Sequence, residues 1–336
     1  MQQSHAPRPL PLFLELVRHV SGQAPDLAAR ALDGLARYEQ APRPKIRPER
    51  PPVAAVGPAT LLDCGGTGRA VVLVPSLINP PHVLDLDSDV SLAQAVAGDG
   101  RHALLVDWGA ARERGGLDLG GHIEQLLLPL LRETGERPAL VGYCLGGTMA
   151  IAAANLIEVE RVATLAAPWR FSDYPDEARD SLRRLWDSAI GVAQQLGALP
   201  MEVLQSAFWS LDPKRTVAKF AHFADLPPES ADAHRFVTLE DWANEGEPLP
   251  YPAARELIED LFGRDLPGSG RWRVGGRPIT SRLDCPVLNI TAADDRITPA
   301  ATAPAGKTVH IPAGHVGMVV GSSRSKLHEE LAAFLD

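Results

Sequence analysis

Apolar residues along this chain change their spacing several times, and each change marks a change of element. From Pro11 to Gln40 they fall at helical intervals: Phe13, Leu16, Val17 and Val20, then Leu27, Ala31, Leu32 and Leu35. The spacing predicts helix with an apolar stripe, which either packs on the rest of the chain or holds a partner. Residues 41–52 read APRPKIRPERPP, where repeated proline forbids regular helix and predicts an extended linker. Its basic residues Arg43, Lys45, Arg47 and Arg50 read as a solvated tether, with a phosphate-binding strip as the sharper alternative.

From Ala70 onward, short continuous apolar runs alternate with helical stretches. Runs at 70–76, 102–108, 138–144, 161–168, 285–292 and 307–313 have strand length. Residues 92–97, 119–134, 148–156 and 325–335 have helical spacing, and Pro129 is expected to kink or split the second of these. Continuously apolar strands separated by helices predict an α/β protein, with a mostly parallel sheet covered on both faces. Between Phe171 and Arg277 that rhythm breaks into a mainly helical pattern rich in Trp, Phe, Pro and Asp. An insertion of this size between core strands predicts a cap that excludes water and shapes access. The expected organisation is a helical segment and linker (1–53), a first part of the core (54–170), the cap (171–277) and the rest of the core (278–336).

Composition narrows the function classes. The 336 residues carry a formal charge of −9, which argues against binding duplex nucleic acid, because phosphate neutralisation needs clustered Lys and Arg. Three cysteines, Cys64, Cys144 and Cys285, stand at unrelated spacings with no Cys-x-x-Cys pair, so neither a metal site nor a redox dithiol is expected. Sparse, odd cysteine usage fits a reducing compartment. Met1 to Leu10 lacks the order of a secretory signal, and the apolar runs are too short to span a bilayer, so a cytoplasmic protein is expected.

The sharpest local signal is Gly142-Tyr143-Cys144-Leu145-Gly146-Gly147, between an apolar strand and a helix. This is the context of a nucleophile elbow, G-x-S-x-G in most enzymes that carry it, here with Cys in place of Ser. Glycines two before and two after leave room for a strained turn, and the helix N-terminus behind it favours the thiolate. The blander reading is an inert buried cysteine, the reading preferred for Cys64 and Cys285. A nucleophile needs a base, and the base an orienting acid, in the chain order nucleophile, acid, histidine. After the run 285–292 come Asp294 and Asp295 at a strand end, and spacing alone barely separates them. His315, in Gly314-His315-Val316-Gly317 after the last strand, is the candidate base. His310 lies inside a strand, and His102, His122 and His234 violate the order. The elbow N–H of Leu145 would be one oxyanion donor. The second comes from the loop after the run at 70–76, where Pro80 and Pro81 have no N–H. That leaves Leu77, Ile78 or Asn79, with Ile78 favoured.

Several separated motifs together resemble the polyhydroxyalkanoate synthases of the α/β-hydrolase superfamily. They are Val74-Pro75-Ser76-Leu77-Ile78-Asn79-Pro80-Pro81, Asp107-Trp108, the elbow, Leu211-Asp212-Pro213, Leu239-Glu240-Asp241-Trp242, Val274-Gly275-Gly276-Arg277, the run from Cys285 to Pro299, and Gly314–Gly317. The resemblance covers roughly 65–335, and the spacing to Pro299 points to Asp295 as the acid. Length and cap are most similar to the smaller class, which works with a second subunit, and Arg296 stands where that family often has histidine. The resemblance implies an α/β-hydrolase fold and a Cys144–His315–Asp295 triad. It also implies polymerisation of (R)-3-hydroxyacyl-coenzyme A through a thioester on Cys144, with release of coenzyme A. The coenzyme A thioester is then substrate, with no further cofactor. The growing polyester and a second synthase subunit or second copy are partners, and the polyester granule surface is a site of action. The competing readings are a cysteine hydrolase of the same fold, dienelactone-hydrolase-like or a thioesterase, and a non-catalytic granule protein.

Overall fold

The computed structural model, which describes residues 5–43, 48–135 and 137–336, builds its larger part on one eight-stranded sheet. The strands are β1 (Pro52–Val56), β2 (Ala59–Asp63), β3 (Ala70–Val74), β4 (His102–Asp107), β5 (Ala139–Tyr143), β6 (Val162–Leu165), β7 (Val287–Ala292) and β8 (Lys307–Ile311). Their spatial order is β1-β2-β4-β3-β5-β6-β7-β8. From β4 to β8 every neighbour pair is parallel, whereas β1–β2 and β2–β4 are antiparallel. Strands β3, β5 and β6 are buried along their whole length, as strands covered on both faces must be. The expected mostly parallel α/β sheet is present, each predicted run supplying a strand.

The hairpin β1–β2 was not expected. Its first strand lies at the sheet edge with a largely exposed pattern, so no continuous apolar run announces it. Nearby, Arg50 is not a solvated tether residue. Its guanidinium makes two hydrogen bonds, at 2.6 and 2.9 Å, to the buried Asp85 carboxylate, which also accepts from Ser91 at 2.6 Å. Arg43 likewise pairs with Asp241 at 3.1 Å. Lys45 and Arg47 lie outside the described residues.

The expected helix 119–134 is broken: Leu119–His122 passes into a π-helical turn, Ile123–Leu127, before Leu128–Arg132. Pro129, which has no N–H to give, sits in the first turn of that last piece. His122, fully buried here, has Nδ1 2.6 Å from the Asp118 carbonyl, and burial holds its imidazole down at about 4.

The described residues divide into two compact units. The larger holds the sheet, with residues 48–199 and 247–336. The smaller combines the described part of residues 1–46 with 200–246. In the smaller unit the helices Leu10–Ser21 and Pro25–Gln40 bury their apolar faces against Met201–Ser210, Pro213–Asp225 and Ala231–Asn244. Phe13, Val17, Trp209, Phe220, Phe223 and Val237 form its core, with the Phe13 and Phe220 rings 4.7 Å apart. The middle of the expected insertion therefore shares a core with the N-terminal helices, while 171–199 and 247–277 belong to the sheet-bearing unit. Gly34 makes this packing close, since a Cβ there would lie 1.9 Å from the Phe220 carbonyl oxygen. No helix of the described residues is long and apolar enough to cross a membrane.

Gly34→Ala should therefore force the helices apart and lower stability by about 1–3 kcal/mol, as overpacking does, read as a lower unfolding midpoint in urea. His122 generates a pH signature. Its folded value, about 4, lies below the ordinary 6.5, so the unfolded chain binds the extra proton between them. Stability is full above 6.5 and is lost as pH falls towards 4, by about 3 kcal/mol. Urea titrations across that window should show the wild-type chain losing more stability than His122→Gln.

Candidate active site

Strand β5 runs through the centre of the sheet and ends at Tyr143. Cys144 follows with φ 55° and ψ −130°, and the helix Leu145–Ala154 starts at once. A positive φ at a non-glycine residue is strained, and it turns the side chain off the end of the strand. The flanking glycines are sterically required. A Cβ at Gly142 would lie 2.3 Å from the Gly147 Cα, and one at Gly146 2.1 Å from the Val74 carbonyl oxygen. The turn is fixed at both ends: the Cys144 N–H donates to Leu165 of β6 at 2.9 Å, and its carbonyl accepts from Gly147 at 2.9 Å. The side chain of Cys144 is half-buried. Leu145 opens the helix, so its N–H is among those with no partner within the helix.

His315 and Asp295 meet beside it. His315 Nδ1 lies 2.7 Å from Asp295 Oδ2, and both residues are buried. The other carboxylate oxygen of Asp295 accepts from the Ile297 and Thr298 N–H groups, each at 2.8 Å. The acid is thus held by its own loop and faces the imidazole, whereas Asp294 is exposed. Cys144 lies within electrostatic reach of His315. Burial alone disfavours the imidazolium, yet the thiolate form of Cys144 and the Asp295 carboxylate override it and hold His315 up at about 10. An imidazole between a sulfur and a fixed carboxylate can take a proton from the one while the other steadies the charge.

Two tyrosines that sequence reasoning did not single out complete the surroundings. The Tyr143 hydroxyl donates to the His315 carbonyl at 3.3 Å, and its ring lies 5.1 Å from the imidazole. Burial pushes this phenol up, and the charges of Cys144 and Asp295 add to the effect. Tyr174 is raised mainly by burial, with Thr298 and Thr302 in the loop that carries Asp295 acting on its hydroxyl in the opposite sense. Tyr143 stood inside the elbow motif in plain view. Tyr174 had no sequence signal, because only the folded chain brings it to residues more than a hundred positions away.

In the loop after β3, Ser76, Leu77 and Ile78 are all buried. The Ile78 N–H is turned onto the Ser76 hydroxyl at 3.3 Å, so an oxyanion would compete with that hydroxyl for it. His102 and His310 are engaged elsewhere, His102 with Asp63 at 3.2 Å and His310 with the Thr291 hydroxyl at 2.7 Å. Burial pushes the Cys64 thiol up to about 12 and raises that of Cys285. Among the described residues no group of three or more His, Cys, Asp or Glu side chains could hold a metal ion.

No family model matches the chain. It is 26% identical over 328 residues to the poly(3-hydroxyalkanoate) polymerase subunit PhaC of Allochromatium vinosum, covering 91% of this chain and 86% of that protein. The protein of the same name from Thiocystis violacea is 25% identical over 279 residues, covering 76% of this chain and 77% of that one. That of Haloferax mediterranei is 27% identical over 278 residues, or 76% of this chain and 56% of its own length. Among solved structures, epoxide hydrolase A from Mycobacterium thermoresistibile aligns with a TM-score of 0.53 at 16% identity, over 85% of this chain and 98% of that one. The Bacillus megaterium epoxide hydrolase gives 0.53 at 12% identity, over 84% and 99%. The chain has the α/β-hydrolase fold, and over most of its length its sequence is similar to poly(3-hydroxyalkanoate) polymerase subunits.

Proposed function

We propose that this protein is an acyltransferase that polymerises (R)-3-hydroxyacyl-coenzyme A, with Cys144 as nucleophile, His315 as base and Asp295 as the group that orients the base. The observation that carries the reading is the strained Cys144 turn, whose charge acts on a buried imidazole that is itself held by a buried carboxylate. Similarity to polymerase subunits supplies the substrate class.

The Cys144 sulfur attacks the thioester carbonyl, the bond to coenzyme A breaks, and the departing thiolate takes the proton held on His315. The acyl group is then a thioester on Cys144. The hydroxyl of a second hydroxyacyl-coenzyme A attacks that carbonyl while His315 removes its proton. An ester forms, the bond to Cys144 breaks, and the lengthened chain can reload the sulfur with release of coenzyme A. The oxyanion of each tetrahedral intermediate needs backbone donors, for which Leu145 and a residue of the loop after β3, Ile78 by preference, are the candidates.

A thioester keeps the acyl group activated, so water must be kept from it or hydrolysis wins. The insertion between β6 and β7 is the element to which this cap role is assigned, and the coenzyme A thioester is substrate rather than a resident cofactor. Action at a polyester granule in the cytoplasm, with a second synthase subunit or a second copy of this chain, belongs to the same reading.

Incubation with (R)-3-hydroxybutyryl-coenzyme A should release coenzyme A and yield polymer; free 3-hydroxybutyrate as the sole product would make the protein a hydrolase instead. Cys144→Ala should leave the fold intact and abolish release. His315→Gln should lower kcat by about 10³-fold or more. Asp295→Asn should cost about 10²–10⁴-fold in kcat, and Asp294→Asn about twofold at most. The reverse ranking would remove Asp295 from its role.

A further inference from the structure

We propose that Trp108 is a positioning residue for acyl transfer: its indole fixes the loop after β3 against the elbow, and a buried Arg114–His122 pair holds the indole in place. The inference rests on the acyl-transfer reading above and extends it to residues that touch no reacting atom.

Two independent contacts converge on one carbonyl. The Trp108 indole N–H donates to the Pro75 carbonyl at 3.1 Å, wholly inside the protein. The same carbonyl oxygen would lie 2.5 Å from a Cβ at Gly146, in the first turn of the elbow helix. The Pro75 carbonyl is therefore a wedge between the loop and the helix, with the indole behind it. A peptide unit is planar, so fixing this carbonyl also fixes the Ser76 N–H and the direction in which the chain leaves towards Leu77 and Ile78. Those residues carry the candidate N–H groups for an oxyanion. An error of about 1 Å in such a donor is enough to lose most of its effect.

The support behind the indole is more elaborate than packing needs. His122 meets Trp108 edge to face, ring centroids 6.1 Å apart. Arg114, buried to 3% exposure, lies with Nη1 3.1 Å from His122 Nε2 and donates through Nε to the Gly109 carbonyl at 3.2 Å. A guanidinium has no acceptor, so His122 Nε2 accepts, and Nδ1 carries the proton given to the Asp118 carbonyl. Gly109 directly follows Trp108, so Arg114 grips the backbone beside the indole and the imidazole on its face together. Glu247 lies 4.0 Å from this guanidinium and accepts from the Ala111 N–H at 2.5 Å, which ties the strut to the neighbouring turn. Burying a guanidinium is costly unless it is fully bonded, and a core that only had to be filled would use an apolar side chain.

The test compares two reactions of Cys144 in the full-length protein. One is the acylation burst with p-nitrophenyl butyrate, which passes through an oxyanion. The other is alkylation by iodoacetamide, which does not. Trp108→Phe should slow the burst about 10–100-fold and leave alkylation within about twofold of wild type. His122→Gln, which keeps the indole but loosens its support, should give a smaller loss with the same selectivity. An unchanged burst in Trp108→Phe, or equal losses in both reactions, would overturn the proposal. A wild-type protein that gives the burst but releases no coenzyme A from hydroxyacyl-coenzyme A would sink the polymerase reading alone, with the role of Trp108 still decided by the burst.

Discussion

The backbone conformation at Cys144 is the constraint on which the rest of the site depends. A φ of 55° at a residue with a side chain is disfavoured by about 1–3 kcal/mol and persists only when its surroundings over-determine it. Here they do. The strand before the turn is buried on both faces, the N–H of Cys144 is tied to β6, and the next residue is already in a helix. The glycines at 142, 146 and 147 let the helix approach the strand ends more closely than any side chain would allow. The neighbouring strands follow from the same requirement: the end of β3 and Pro75 lie against Gly146, β6 anchors the turn, and Asp295 and His315 follow a few residues after β7 and β8.

Much of this was legible in the sequence, and the reasons differ from element to element. Each central strand is a continuous apolar run bounded by breakers, a pattern set by burial on both faces. The elbow is written in glycines because its steric demand is local. The β1–β2 hairpin was not legible, since an edge strand answers to solvent as much as to the core. Spacing along the chain barely separates Asp294 from Asp295; that Asp295 is the buried one, accepting from two backbone amides of the following loop, is a tertiary fact. The burial of Arg50 was equally hidden, because its partner Asp85 lies 35 positions away and no spacing along the chain links the two.

Electrostatics at the site works against burial rather than with it. A wholly enclosed imidazole would ordinarily shed its proton, as His122 does. His315 is pushed the other way because a sulfur and a carboxylate face it from two sides. The two histidines show how one residue type takes opposite states according to its neighbours. Tyr143 bonds the carbonyl of His315, and a second buried phenol, Tyr174, lies within electrostatic reach of Asp295.

The smaller unit draws its core from both ends of a long interval: helices within residues 10–40 and helices within 201–244. During synthesis the first pair leaves the ribosome about 200 residues before its partners. At ordinary elongation rates of 5–20 residues per second that is a wait of about 10–40 s. Throughout it Phe13 and Tyr38 lack their native ring partners Trp209, Phe220 and Phe236. Nascent chains should therefore be most prone to chaperone capture and to clumping in that window, and the hazard should pass only once Phe220 and Phe223 have been made.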